Sequence, residues 1–145
     1  MNYTLIQKKL DEILDESTEL PLHIENSSVE LNSTDSASTF KSEYVRSQLE
    51  PTKTVSKSLG PEGLSELTGL YMISVFVPSN AQHGVARANT IGDKILRHFK
   101  ETKYDLDDST QLRVDDRNRE IGRQFTNYYM LQLSVEWTYF YQRDI

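Results

Sequence analysis

The chain has 145 residues, with sixteen Lys and Arg against twenty-two Asp and Glu, for a formal net charge of −6. That length suits one domain, 1–145, and a chain of about 150 residues buries roughly 70% of its unfolded surface, enough for a real core. The absence of Cys excludes disulfide scaffolds, thiolate metal sites and thiol chemistry, and the acidic balance argues against nucleic-acid binding driven by net charge.

The charge is unevenly placed. Residues 1–50 carry four Lys and Arg against ten Asp and Glu, while residues 51–145 carry twelve of each. One reading is a solvated acidic first helix. The sharper one is complementarity between two edges of one subunit, which favours head-to-tail self-association. Met1-Asn2-Tyr3-Thr4 lacks the basic region and apolar run of a secretory signal. No apolar stretch approaches the roughly 18–20 residues of a membrane span.

Residues 3–17 read as an amphipathic helix, because Ile6, Leu10, Ile13 and Leu14 recur on one face. Leu22 to Glu25 alternates as a short strand would. Residues 26–42 are dominated by Ser, Thr, Asn and Asp, which compete for backbone hydrogen bonds. This predicts a long polar loop over 27–42. Tyr44 and Val45 open a strand that runs to Pro51, with 52–59 as its hairpin partner. Gly60-Pro61-Glu62-Gly63 is a turn signal, and the segment to Gly69 reads as a connection. Residues 70–77, apolar, β-branched and aromatic, predict a central strand stopped by Pro78.

After a loop over 79–85, a second helix spans about 86–101. Its stripe is Ala88, Ile91, Ile95 and Phe99, widened by Leu96. Leu112 and Val114 then alternate with polar residues, and Asp115-Asp116-Arg117-Asn118 reads as a charged turn. Asn127 reads as a corner. The final strand has the clearest pattern, with Tyr129, Leu131, Leu133, Val135, Trp137, Tyr139 and Tyr141 on one face. The fold class is α+β: a mostly antiparallel sheet of about four or more strands, two helices packed on one face, and extended hairpins or loops.

Little here assembles an active site. His23, His83 and His98 lack partners at metal-ligand spacing, and no phosphate-binding loop, dinucleotide fingerprint or nucleophile elbow occurs. Asp107-Asp108 and Asp115-Asp116 are paired carboxylates, a chemistry that binds hard cations or splits acid and base roles. Adjacent residues on a strand point to opposite faces, so such pairs do not converge by themselves. No catalytic, cofactor-binding or metal residue is assigned, and no cofactor is expected. Arg113, Arg117, Arg119 and Arg123 are the one basic concentration, and their odd numbering predicts several on one strand face. They suit an inter-subunit ion-pair strip, a lining that meets DNA, or a solvated hairpin balanced by Asp115, Asp116 and Glu120.

In this order the segments resemble the tail terminator (tail completion) proteins of long-tailed bacteriophages with non-contractile tails. The resemblance rests on the N-terminal helix and on Ile24-Glu25-Asn26 opening a polar loop. It rests also on Glu43-Tyr44-Val45-Arg46 leading to Leu49-Glu50-Pro51, and on Gly69-Leu70-Tyr71-Met72-Ile73-Ser74-Val75-Phe76-Val77-Pro78. The helix from Ala88 to Phe99 and the final strand through Val135-Glu136-Trp137 complete it. It covers about residues 1–141.

The resemblance implies a structural protein of the virion, at the head-proximal end of the tail, assembled in the host cytoplasm, and not an enzyme. It implies a homo-oligomer, a hexameric ring, with the tail tube protein and the head–tail connector as partners. DNA would pass through its lumen without sequence-specific binding, and no membrane is involved. On this reading the subunit and partner interface draws on Arg46, Arg113, Arg117, Arg119, Arg123, Asp115 and Asp116. Gln132, Ser134 and Glu136 are the lumen-facing candidates, and 27–42 and 52–68 are candidate arms. A different neck or head-completion protein and a small metal-dependent hydrolase are the alternatives.

Overall fold

Tyr129, Leu131, Leu133, Val135, Trp137 and Tyr139 occupy every second position, between Met130, Gln132, Ser134, Glu136 and Thr138, and all six are buried. That period-two pattern builds the longest uninterrupted apolar row of the sheet. The computed structural model describes residues 3–18, 22–24, 43–56, 64–78, 84–107, 110–125 and 128–142. Helix α1 spans Tyr3–Ser17, followed by strands β1 (Leu22–Ile24), β2 (Tyr44–Ser56) and β3 (Leu64–Pro78). Helix α2 spans Gly84–His98, followed by β4 (Lys103–Asp107), β5 (Thr110–Gln124) and β6 (Tyr128–Gln142). The predicted loop 27–42 lies outside the described residues.

The sheet order is β1-β2-β3-β6-β5-β4. The five strands from β2 to β4 pair antiparallel, and the three-residue β1 joins β2 in parallel. The class is therefore α+β. In the centre, Ile73 lies opposite Leu133, Val75 opposite Leu131 and Tyr71 opposite Val135. Opposed residues share a face, so these side chains form one apolar surface.

α1 places Ile6, Leu10, Ile13 and Leu14 in the core, as its spacing predicts. A fifteen-residue helix is marginal alone in water, so this packing holds it. Each fully buried Leu or Ile contributes roughly 1.5–3 kcal/mol. The Ser17 hydroxyl donates to the Leu14 carbonyl at 2.6 Å and closes the last turn. α2 buries Ala88, Ile91, Gly92 and Ile95, and Phe99 just beyond its end. Gly92 matters here because a Cβ at that position would lie 2.8 Å from a Leu131 methyl and 3.4 Å from a Leu133 methyl.

Several sequence expectations are corrected. β2 does not end at Pro51 to begin a hairpin at 52. It runs through Pro51, with a register shift between Pro51 and Lys53, and pairs with β3. Gly69 lies opposite both Pro51 and Trp137, and residues 64–69 are strand, not a connection. α2 ends at His98, and β4 comes after it where no strand was expected. Asp115–Asn118 is not a turn. It lies inside β5, at the first of two bulges, which fall between Val114 and Arg117 and between Arg119 and Gly122. Each bulge adds one residue and flips the side-chain parity of the strand beyond it.

Among the described residues, both outer edges of the sheet are only partly paired. β1 pairs only with Val45 to Ser47 of β2, and β4 only with Thr110 to Arg113 of β5.

Candidate functional site

The sheet face opposite the row of Leu131 and Leu133 is polar along its centre. Arg46, Ser74 and Gln132 form one cross-strand row. Gln48, Met72, Ser134 and Asn118 form the next, and Glu50, Leu70 and Glu136 a third. Gln132, Ser134 and Glu136 thus share a face, and Arg46 is exposed on that same face beside the Phe76 ring, 5.3 Å from its centroid. The Ser134 hydroxyl is buried and donates to Glu120 Oε1 at 2.8 Å, which fixes β5 against β6 on this side.

The four arginines do not form one strip, because the bulges divide them. Arg113 stays on the polar face: its Nε donates to Asp115 Oδ1 at 2.5 Å, and its guanidinium lies 5.2 Å from the Phe140 ring centroid. Thr138 Oγ1 donates to the other Asp115 oxygen at 2.7 Å. After the first bulge, Arg117 lies opposite Val135 and turns toward α2. It donates to the carbonyls of Phe99 and Leu96, and its guanidinium lies 3.8 Å from Glu101. A cation on the last carbonyls of a helix satisfies orphan acceptors and meets the negative end of the dipole. Arg119 donates to Asn89 Oδ1 of α2 at 2.8 and 3.3 Å. After the second bulge, Arg123 lies opposite Met130, exposed, with no ion pair among the described residues.

Of the paired carboxylates, Asp115 is tied to Arg113 and Thr138, and Asp116 is exposed. Asp107 ends β4, and Asp108 lies outside the described residues. Among the described residues no three His, Asp or Glu side chains gather to hold a metal. His98 faces Glu16 across the helix pair at 3.5 Å, and His83 lies outside the described residues.

Two features escaped the sequence reading. Asp11 projects from α1 onto the sheet, where it accepts hydrogen bonds from the Tyr71 hydroxyl and from Ser47 Oγ, the latter at 3.0 Å. Burial raises the Asp11 pKa above the ordinary carboxylate value, against the opposing pull of those hydrogen bonds. Burial, with Asp11 beside it, pushes the Tyr71 phenol well above its ordinary value. This cluster latches α1 to β2 and β3. Its only signal in the sequence is a carboxylate beside the apolar stripe of Leu10, Ile13 and Leu14.

The second is an aromatic series at one end of the sheet. Tyr44 stacks on Phe76 at 4.5 Å, Phe76 meets Tyr128 at 5.5 Å, and Tyr128 stacks on Phe125 at 4.6 Å. Burial pushes the Tyr44 phenol up to about 12. Close by, Arg87 of α2 grips Glu43 through two hydrogen bonds, at 2.7 and 3.0 Å. These contacts brace the end of the sheet from which the β5–β6 hairpin projects.

No helix among the described residues is long and apolar enough to cross a membrane. A solved structure with 13% sequence identity is similar in fold, with a TM-score of 0.67, covering 100% of this chain and 98% of that one. No curated protein matches. The family model described as phage tail terminator protein matches residues 3–137, from the first helix into the last strand. The chain belongs to the phage tail terminator protein family.

Proposed function

We propose that this protein terminates a long, non-contractile phage tail. Copies of it form a sixfold ring that docks on the last ring of the tail tube, stops tube polymerisation and presents a surface to the head–tail connector. The observation that carries the reading is the family match over residues 3–137. The protein's output on this reading is geometry and not bond-breaking chemistry. It works in the virion at the head-proximal end of the tail, after assembly in the host cytoplasm.

The polar face fits the proposed ring. Ser134 is buried and held by Glu120, so on this face Gln132 and Glu136 are the candidates left to line the lumen, a neutral and an acidic group, and phosphate needs Lys and Arg to adhere. Of Arg46, Arg113 and Arg123 on this face, Arg113 is held by Asp115, and Arg46 and Arg123 have no ion pair among the described residues.

The test adds the purified protein to growing tail tubes and follows tube length and ends by electron microscopy. The expected result is arrest of growth with added density at one end of each tube. Continued growth with bare ends, and protein bound only at portal vertices, would overturn the reading in favour of another neck or head-completion protein.

A further inference from the structure

We propose that one end of the polar sheet face binds an extended acidic segment of another protein, with two carboxylates four residues apart and an apolar side chain midway between them. The proposal rests on the assembly role above and gives it a surface for a protein partner.

Cross-strand pairing brings the residues together. Tyr44, Phe76, Met130 and Arg123 form one row across β2, β3, β6 and β5. Arg46 begins the next row. Tyr128 and Phe125 lie on the other side of the first, where the Phe125 amide donates to the Tyr128 carbonyl at 2.8 Å. Residues opposite across a ladder share a face, and so do residues two apart on a strand. The rings touch in series, Tyr44 on Phe76, Phe76 against Tyr128, and Tyr128 on Phe125. Tyr44 and Phe76 are buried and form the floor. Tyr128 and Met130 are half-buried above it, and Phe125 is 38% exposed.

Two exposed cations flank this floor, Arg46 on β2 and Arg123 on β5. The Arg46 guanidinium rests over the Phe76 ring. Stacking uses the face of the guanidinium and leaves its fork of N–H donors open. Neither arginine has an ion pair among the described residues, and the nearby carboxylates are committed or distant. Glu43 is gripped by Arg87, and Glu120 accepts from Ser134. Glu50 and Glu136 stand four residues along their strands from Arg46 and Gln132, roughly 13 Å away.

Charge and the apolar floor select the occupant. Three strand spacings separate β2 from β5, roughly 14 Å, and an extended segment covers about 13 Å in four residues. Carboxylates at its first and fifth positions therefore reach both guanidiniums, and the third side chain points the same way, onto Met130 and Tyr128. Duplex DNA would meet the arginines with its phosphates but presents no apolar group at its outer surface for the floor.

The test is fluorescence anisotropy of the full chain with labelled acetyl-Glu-Ser-Phe-Ser-Glu-amide. The expected result is saturable binding, weakened roughly tenfold by Arg46→Gln, by Arg123→Gln, or by Gln in place of both Glu in the peptide. Phe125→Ser weakens it about threefold. These positions are exposed, and circular dichroism checks that each variant is folded. No saturable binding, or equal binding by the arginine variants or by the Gln peptide, would overturn the proposal. So would three results that name another occupant. A short duplex DNA that displaces the peptide better than unlabelled peptide does would make this a phosphate surface. Tighter peptide binding by a chain carrying Glu30→Gln and Asp35→Asn would give the surface to the chain's own acidic stretch. Loss of self-association in the arginine variants, by light scattering, would give it to a second copy. Arrest of tube growth is read separately: arrest without peptide binding sinks this surface and spares the function, and peptide binding without arrest does the reverse.

Discussion

Replacing Gly69 by Ala sets a new methyl against three groups at once. A Cβ there would lie 2.4 Å from the Trp137 ring, 2.5 Å from the Glu50 carbonyl oxygen and 2.9 Å from Pro51 Cα. Two of those atoms are backbone of β2, and Trp137 is 1% exposed within the core, so none can swing away freely. Overpacking of this kind costs about 1–3 kcal/mol, and backbone obstruction places Gly69 at the upper end. An unobstructed Gly-to-Ala change within a strand recovers about 0.5–1 kcal/mol. The net expectation is a loss of about 2 kcal/mol, a fall in Tm of roughly 4–8 °C for a chain near this size. Calorimetry at one low protein concentration measures it, since self-association would make Tm concentration-dependent. A Tm equal to or above wild type would refute the inference that Gly69 is required where Trp137 crosses the β2 irregularity.

Gly122→Ala is a contrast: its Cβ would meet chiefly the Tyr129 hydroxyl, the far end of a side chain that can rotate, so a smaller loss than at Gly69 is expected in the same calorimetric series. Arg117→Met removes the guanidinium from the carbonyls of Leu96 and Phe99 and is expected to cost about 1 kcal/mol in chemical denaturation, with the loss shrinking little in salt if hydrogen bonding dominates; unchanged stability would count against this cap. Asp11 carries a pH prediction. Its folded pKa is raised above the unfolded value, so the native state binds more protons in that window, and this group's contribution is fully present below the unfolded pKa and lost as pH rises through the folded one. Asp11→Asn should therefore gain on wild type from about pH 4 toward pH 7; denaturation midpoints showing the gap moving the opposite way would reject burial as the dominant cause. Leu10→Ala, at a position with no exposure, is expected to cost about 2–5 kcal/mol, checked by urea unfolding.

The parts of the fold that were legible in the sequence are those set by local periodicity. α1, the stripe of α2 from Ala88 to Phe99, the apolar run ending at Pro78 and the alternation of β6 each carry their own signal, and each element is present. The hidden parts depend on partners distant in sequence. Pro51 reads as a stop, yet β2 runs through it because an irregularity there absorbs the missing donor beside Gly69. β4 alternates exposed and half-buried residues, so its five positions offer no apolar row to notice. The arginines mislead for the same reason. Odd numbering implies one face only in a regular strand, and the two bulges of β5 are fixed by pairing with β6, which no local reading supplies. Arg117 and Arg119 consequently serve α2, and Arg123 is left to solvent.

The irregular outer strands also bear on how the chain avoids open-ended aggregation. Regular, flat strand margins template endless stacking into fibrils. Here Pro51 lacks an amide hydrogen on one margin, and two kinks with alternating charge disrupt the other. Among the described residues, backbone-to-backbone zippering is thereby discouraged on both sides.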